Sequence, residues 1–591
     1  MVFERTKLGV AIAAIGAYLL ATIAIAQVEA FEPVTDEMLR DPDPSDWLMW
    51  RRTYDSWGFS PLDQIDRDNV GQLQVAWSWA MEPGRQQTTP LVYNGIMYLV
   101  HAGDVVQALD ATTGDKIWEY RRALPADFED VADEVWGVGL RAVERTRNIA
   151  IYDDKIFLAT ADAHIVALNA RTGALEWEVQ TGDWRDDMGY SAGPLVADGK
   201  VFAGATCGYV DFGCFITAHD VETGEELWRR HTNAQPGEYG DETWVGVPAE
   251  NRWHNSPWIT GSYDPELNLV IWGTAVPLPS PEVLRGTEGG DLLFTNSTLA
   301  LDADTGEIAW YFQHAPRDNW DLDHPFVRVL VDTTVAPNPE QVDWINPNVT
   351  PGEERRVVTG VPGKTGIYWT IDAETGEFLW AKETTYQNAY TDIDVETGYA
   401  FANEDLIPRE IGETYYVCPG VNGGGHFPPG AYSPLTNVFY APLQNACMNV
   451  EMYTDEPTPL DGYALDWVAA WPPDKDQVGR IDAVDVSTGE TVWQHERRVS
   501  IGSLHTTAGG IVFGGDMNRR FFAFDQETGE LLYEVPLGAP VSGQMISYAV
   551  DGKQYVAVPV GGAIHGFLAT LYPEVDVPQG QNSLVVFTLP D

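Results

Sequence analysis

Short apolar runs recur along this chain, each closing on an Asp or Asn, a Thr-Gly turn and then an aromatic at a fixed offset. The phrase reads A-L-D-A-T-T-G-D-K-I-W at 108–118 and A-L-N-A-R-T-G-A-L-E-W at 167–177. It returns at 218–228, 300–310, 370–380 and 483–493, and at 523–533 it ends in Tyr. Alternating apolar runs such as 95–100, 155–160, 200–205 and 510–515 lie between the copies and predict further strands. In each copy the Asp can accept turn N–H groups, and the Gly permits the positive φ of a tight return. The aromatic then has to dock on a neighbouring unit, because one small sheet cannot bury its own faces.

Seven copies at blade-like spacing predict an all-β chain, a β-propeller with tryptophan-docking repeats. W-S-W at 77–79 reads as a worn eighth copy, its blade completed by a C-terminal strand over 583–589. Joining both chain ends in one blade removes free sheet edges. The expectation is therefore an eight-bladed propeller over 31–591, with an insertion around 383–475 rich in Gly, Pro and aromatics. An aromatic fraction of 12% and 22 Trp fit blade docking.

Residues 1–30 read as an export signal: Arg5 and Lys7, the apolar run 8–26, then small residues at 24–26 or 28–30. The run is also long enough for an uncleaved membrane anchor, the one route to membrane contact. The expected compartment is the periplasm. Four cysteines in an exported protein allow disulfides: Cys207 with Cys214 across a short loop, Cys418 with Cys447 across the insertion. No C-x-x-C-H occurs, so no c-type haem is attached. A net charge of −53 repels nucleic acid and suits either a salt-adapted surface or a basic protein partner.

The segment D-W-L-M-W-R-R-T-Y-D-S-W-G-F-S-P-L-D-Q-I (46–65), followed by N-V-G-Q-L (69–73), is not generic propeller sequence. It resembles the opening segment of the pyrroloquinoline quinone (PQQ)-dependent alcohol dehydrogenases, the methanol and ethanol quinoproteins. The resemblance keeps register over essentially the whole mature chain. It implies a funnel near the propeller axis holding PQQ, a metal such as Ca²⁺ or a lanthanide beside the quinone, and an Asp base. The implied activity is oxidation of an alcohol by hydride transfer to PQQ, with electrons passed to a separate soluble cytochrome c or similar acceptor. Such a site needs an aromatic floor, donors for three carboxylates, a cation at the quinone and one carboxylate base.

The resemblance carries roles onto particular residues. P-R-D-N-W-D-L-D-H (316–324) makes Asp321 the base and a metal ligand, and Asp323 an extra ligand. For Asp321 the plainer alternative is a turn cap. Trp258 falls where the family stacks an indole on PQQ. Lys364, in V-P-G-K-T-G, stands where methanol enzymes have Arg and serves catalysis and the cofactor alike. Gln87, Arg147 and Ser191 occupy positions that bond PQQ, and His426, in G-G-G-H-F, faces it.

The chain departs from the pattern in three places. The family's adjacent cysteine pair is replaced near Arg141 and Ala142. The family's Glu ligand falls in T-C-G-Y-V-D-F-G-C (206–214), where only Asp211 offers a carboxylate. The Asn ligand becomes Val276. Two readings stay open: Asp211, Asp321, Asp323 and PQQ oxygens rebuild a metal site with altered geometry, or no metal binds tightly and Lys364 supplies most of the polarisation. The altered face points to a substrate larger than methanol, a secondary or cyclic alcohol. Competing functions are a non-enzymatic propeller scaffold of the outer-membrane assembly type and a PQQ-dependent polyol or sugar dehydrogenase.

Overall fold

The turn phrase folds the same way each time. In a computed structural model, Asp302 Oδ1 accepts the N–H groups of Asp304 and Thr305 at 3.1 and 2.9 Å, and Gly306 holds φ 70°. Asp110, Asp220, Asp372, Asp485 and Asp525 repeat the pattern, as does Asn169 with one N–H. The structure describes residues 31–134, 140–458, 462–562, 566–578 and 581–591; the export segment read over 1–30 lies outside them.

Most turn glycines seat the aromatic of the preceding unit; at Gly489 Val342 lies nearer than Trp380, whose indole N–H finds no partner among the described residues. A Cβ on Gly173 would lie 2.5 Å from Trp118 Cε3, and one on Gly306 would lie 2.5 Å from Trp228 Cε3. The indole N–H then donates past the glycine to the next unit: Trp118 to Ala170 O at 3.0 Å, Trp228 to Ala303 O at 3.0 Å, Trp310 to Ala373 O at 2.9 Å. Trp77, from the worn copy, does the same to Ala111 O at 3.2 Å over Gly114. Glycine is required here twice over, for its positive φ and because a side chain would strike the ring. Deleting one such indole removes the contact that locks two units, about 3–5 kcal/mol for a buried Trp.

The chain is a β-propeller. Among the described residues, eight of its sheets have four or five strands, mostly antiparallel meanders in sequence order such as Leu91–Tyr93, Ile96–His101, Val105–Asp110 and Lys116–Arg121. One sheet joins the two ends of the chain: Gln74–Ala80 pairs antiparallel with Ser583–Thr588, beside Lys553–Val560 and Ile546–Val550.

The stretch expected as one insertion over 383–475 is more finely divided. Ala431–Ser433 and Val438–Gln444 inside it pair with each other, and the second pairs with Gly479–Asp485 as regular sheet strands. Their connection is a Pro434–Asn437 turn without the Thr-Gly phrase, so the repeat reading passes over them. Two excursions flank them. The first contains the hairpin Tyr390–Ile393 and Ala400–Ala402, closed by an unforeseen copy of the turn at Asp394 and Gly398. The two excursions share a sheet of Thr414–Val417, Cys447–Met452 and Leu465–Ala470. Cys207–Cys214 and Cys418–Cys447 are both bonded, with Cα separations of 5.8 and 4.3 Å.

Candidate active site

Three loops build the charged end of the site. In the first, Asp318 caps the turn. Its carboxylate accepts the N–H groups of Trp320 and Leu322, each at 2.7 Å, and Asn296 Nδ2 at 2.9 Å. The Trp320 indole is buried and donates to Leu406 O at 2.8 Å. Held on both sides, Asp321 sits at φ 69° with its carboxylate turned inward rather than spent on the turn. A non-glycine residue in that region costs on the order of 1–3 kcal/mol, and such strain gathers at functional sites.

The second loop carries Lys364, the third the glycines before His426. Lys364 N–H donates to Asp323 O at 2.8 Å, and Lys364 O accepts the Gly424 N–H at 2.7 Å. A Cβ on Gly423 would lie 2.6 Å from Lys364 Cα, and one on Gly424 would lie 2.5 Å from Gly366 Cα. The Gly423–Gly425 run therefore lets an excursion press backbone against backbone beside Lys364. The Lys364 ammonium lies between two carboxylates, 2.8 Å from Asp321 Oδ1 and 2.9 Å from Asp323 Oδ2, with all three side chains at most 5% exposed.

These groups open on a cavity of about 210 Å³. Gln87, Arg147, Ser191, Trp258, Asp321, Asp323, Lys364 and His426 all line it. Asp211 does not: it is exposed on the Cys207–Cys214 loop, so the ligand set loses it. The side chains of Arg141 and Ala142 lie outside the described residues. The lining also includes residues that motif matching missed, among them Arg85, Arg145, His254, Asn422 and Tyr463. Arg85 and Gln87 are alternate residues of one extended segment, and that period of two is the signal that could have found Arg85; Arg145 closes the short 3-10 helix Leu140–Arg145, where no such period applies.

Trp258 meets Phe326 edge to face at 5.3 Å, and the Arg147 guanidinium lies 4.8 Å from its ring centre. Arg147 also donates to Ser191 Oγ at 2.5 Å. His254 sits at φ 64° and shares a 2.5 Å bond between Nδ1 and Cys207 O. Burial keeps its pKa below the usual histidine range, against the pull of Asp323.

The electrostatics divide the site. Burial raises Asp321 well above the ordinary carboxylate range; Lys364 opposes this and Asp323 adds to it. Burial works to lower Lys364, yet Asp321 and Asp323 outweigh it and hold the ammonium above its usual value. Burial, then Arg145 and Arg85, push Arg147 well below its usual value. Such crowding of cations marks a site short of negative charge.

The family model described as "PQQ: Glucose/ethanol/alcohol dehydrogenase, beta-propeller domain" matches residues 47–389 and 468–556. The dehydrogenase subunit of a quinone-type alcohol dehydrogenase from Gluconobacter oxydans is 32% identical over 575 residues, covering 89% of this chain and 72% of the relative. The quinoprotein alcohol dehydrogenase PedH of Pseudomonas putida is 30% identical, covering 93% of this chain and 90% of its own. The quinohemoprotein alcohol dehydrogenase of Comamonas testosteroni superposes with a TM-score of 0.80 at 28% identity, covering 96% and 84%. A europium-containing methanol dehydrogenase does so at 0.80 and 26%, covering 94% and 100%. The chain belongs to the PQQ-dependent quinoprotein alcohol dehydrogenase family.

The cavity's own chemistry fits PQQ. An indole offers a flat apolar surface, three guanidiniums answer carboxylates, and buried Gln87 Oε1, Asn422 Oδ1 and Arg147 Nε lack protein partners. It fits a hard cation poorly. Such an ion takes six to eight oxygens, best with several carboxylates among them; of the lining residues only Asp321 and Asp323 supply carboxylates, both already on Lys364, and the other oxygens are neutral. Val276 offers an N–H, which donates to Asp323 Oδ1 at 3.2 Å. Among the described residues no group of three or more His, Cys, Asp and Glu could hold a metal ion.

Proposed function

We propose that the protein is an exported, eight-bladed PQQ-dependent dehydrogenase that oxidises an alcohol to its carbonyl and passes the electrons to a basic cytochrome c. The eight sheets are read as the blades of one ring, closed where Gln74–Ala80 meets Ser583–Thr588. The observation that carries the function is the juxtaposition of Trp258, a cationic wall and the Asp321–Lys364 pair around one cavity. Export rests on the sequence of residues 1–30, and the acceptor on the charge of −53, which favours a basic partner.

In this reading Trp258 forms the floor, and Arg85, Arg145, Arg147, Ser191 and Gln87 hold the cofactor's carboxylates and carbonyls. PQQ, when bound, supplies an electrophilic carbonyl that accepts hydride from the alcohol carbon. Asp321 takes the hydroxyl proton on a carboxylate oxygen; its raised pKa makes it a stronger base than an ordinary Asp. Lys364 holds that carboxylate in place and keeps a positive charge at the reacting edge. His426, Phe427, Asn422 and Tyr463 wall the cavity and limit water.

The test is PQQ uptake by the apo-protein, followed by dye reduction across primary, secondary and cyclic alcohols, aldehydes and sugars. Alcohol-dependent reduction is expected. Uptake with turnover on sugars or polyols alone would move the substrate class, and no uptake would remove the enzymatic reading.

A further inference from the structure

Resting on the quinoprotein reading, we infer that the Lys364 ammonium takes the place of the metal ion, so that this site binds its anionic quinone without a tightly held cation. The first ground is position. The ammonium contacts Asp321 at 2.8 Å and Asp323 at 2.9 Å, filling the gap between the only two carboxylates of the lining. A metal there would have to expel it.

The second ground is that the backbone carrying the ammonium is held in place. The Lys364 backbone is bonded on both sides, by its N–H to Asp323 O and by its C=O to Gly424 N–H. Gly423 and Gly424 pack against the same loop closer than any Cβ would allow. Swinging the side chain aside would bury an unpaired charge, which is strongly unfavourable. The third ground is the supply of donors. Asp211 is exposed, and at position 276 the group aimed at Asp323 is an N–H.

The fourth ground is charge. The lining holds Arg85, Arg145, Arg147 and Lys364 against Asp321 and Asp323, four cations to two anions, in a chain of net charge −53. The three guanidiniums match the three carboxylates of a quinone ligand one for one, and Lys364 offsets one of the two aspartates, so the loaded site carries a net charge of only −1 without a divalent ion.

The test loads apo-protein with PQQ in the presence of EDTA. PQQ uptake is followed by absorption and metal per chain by mass spectrometry. The expected result is one PQQ per chain with far less than one metal, and an affinity unchanged within about twofold by added Ca²⁺ or La³⁺. In Lys364→Ala the two carboxylates lose their counter-ion, and Ca²⁺ should tighten PQQ binding about tenfold and raise the melting temperature.

Uptake by the wild type only with metal, or one metal per chain surviving chelation, would overturn the inference and leave the quinoprotein reading standing. A folded Lys364→Ala protein indifferent to metal would overturn the claim that the ammonium fills the cation's place. Should that variant not fold, the wild-type measurements decide. No PQQ uptake with or without metal would overturn both readings.

Discussion

Asp302 and Asp321 are the same residue type serving the rim and the hub of one propeller. Asp302 lies in a solvent-facing turn and accepts only from its own near neighbours, Asp304 and Thr305. Asp321 is buried at a left-handed backbone position, and its recorded partner, Lys364, comes from another loop. The rim is built by local rules that the chain repeats, so any one copy matters modestly. The hub is built once, from segments that share no motif, so the Asp321–Lys364 pair has no second copy among the described residues.

The largest expected effect is at the hub. Asp321→Asn should retain PQQ and the melting temperature but lose about 10³-fold in dye reduction, in keeping with removal of a general base; wild-type turnover in that variant would end its role. At the rim, Trp310→Ala should cost about 3–5 kcal/mol by denaturant titration. Well below its midpoint it should turn over within about twofold of wild type. A large loss of turnover in the folded Trp310 variant would mean that rim and hub are not separable.

Lys364→Gln sharpens the comparison through pH. Lys364 is among the influences that lower Asp321, whose pKa burial has raised. Activity needs the ionised carboxylate, so it falls as pH drops through that pKa. Removing the ammonium raises the pKa further, and the acid limb of the rate profile should move to higher pH, with turnover down about 10²-fold. An unmoved limb would detach Lys364 from Asp321. The smallest effect is Asp302→Asn, which keeps an oxygen acceptor for the turn and should cost under about 1 kcal/mol with activity intact. The contrast between Asn at 302 and Asn at 321 is the comparison in its barest form.

The same division explains what the sequence disclosed. Turns and docking tryptophans depend on neighbours a few residues away, so their phrase foretells both the strands and the rings that seat on Gly114, Gly173 or Gly306. Where a sheet abandons the phrase, as at Ala431–Ser433 and Val438–Gln444, the reading takes strands for insertion. Where the phrase appears without a blade, as at Asp394–Gly398, it closes only a two-stranded hairpin. At the hub, Asp321, Asp323, Trp258 and Lys364 were legible through flanking motifs. Asn422 and Tyr463 were not, because they reach the cavity from excursions with no repeated pattern. Asp211 was misjudged from proximity in sequence, since the disulfide loop turns it outward.

The most direct measurement is a crystal structure of the protein loaded with PQQ. The account predicts a planar tricycle lying on the Trp258 indole, its carboxylates toward Arg85, Arg145 and Arg147, and its reactive edge beside the Asp321–Lys364 pair. Density for the quinone elsewhere, or a bound quinone with Asp321 turned away from its edge, would contradict it.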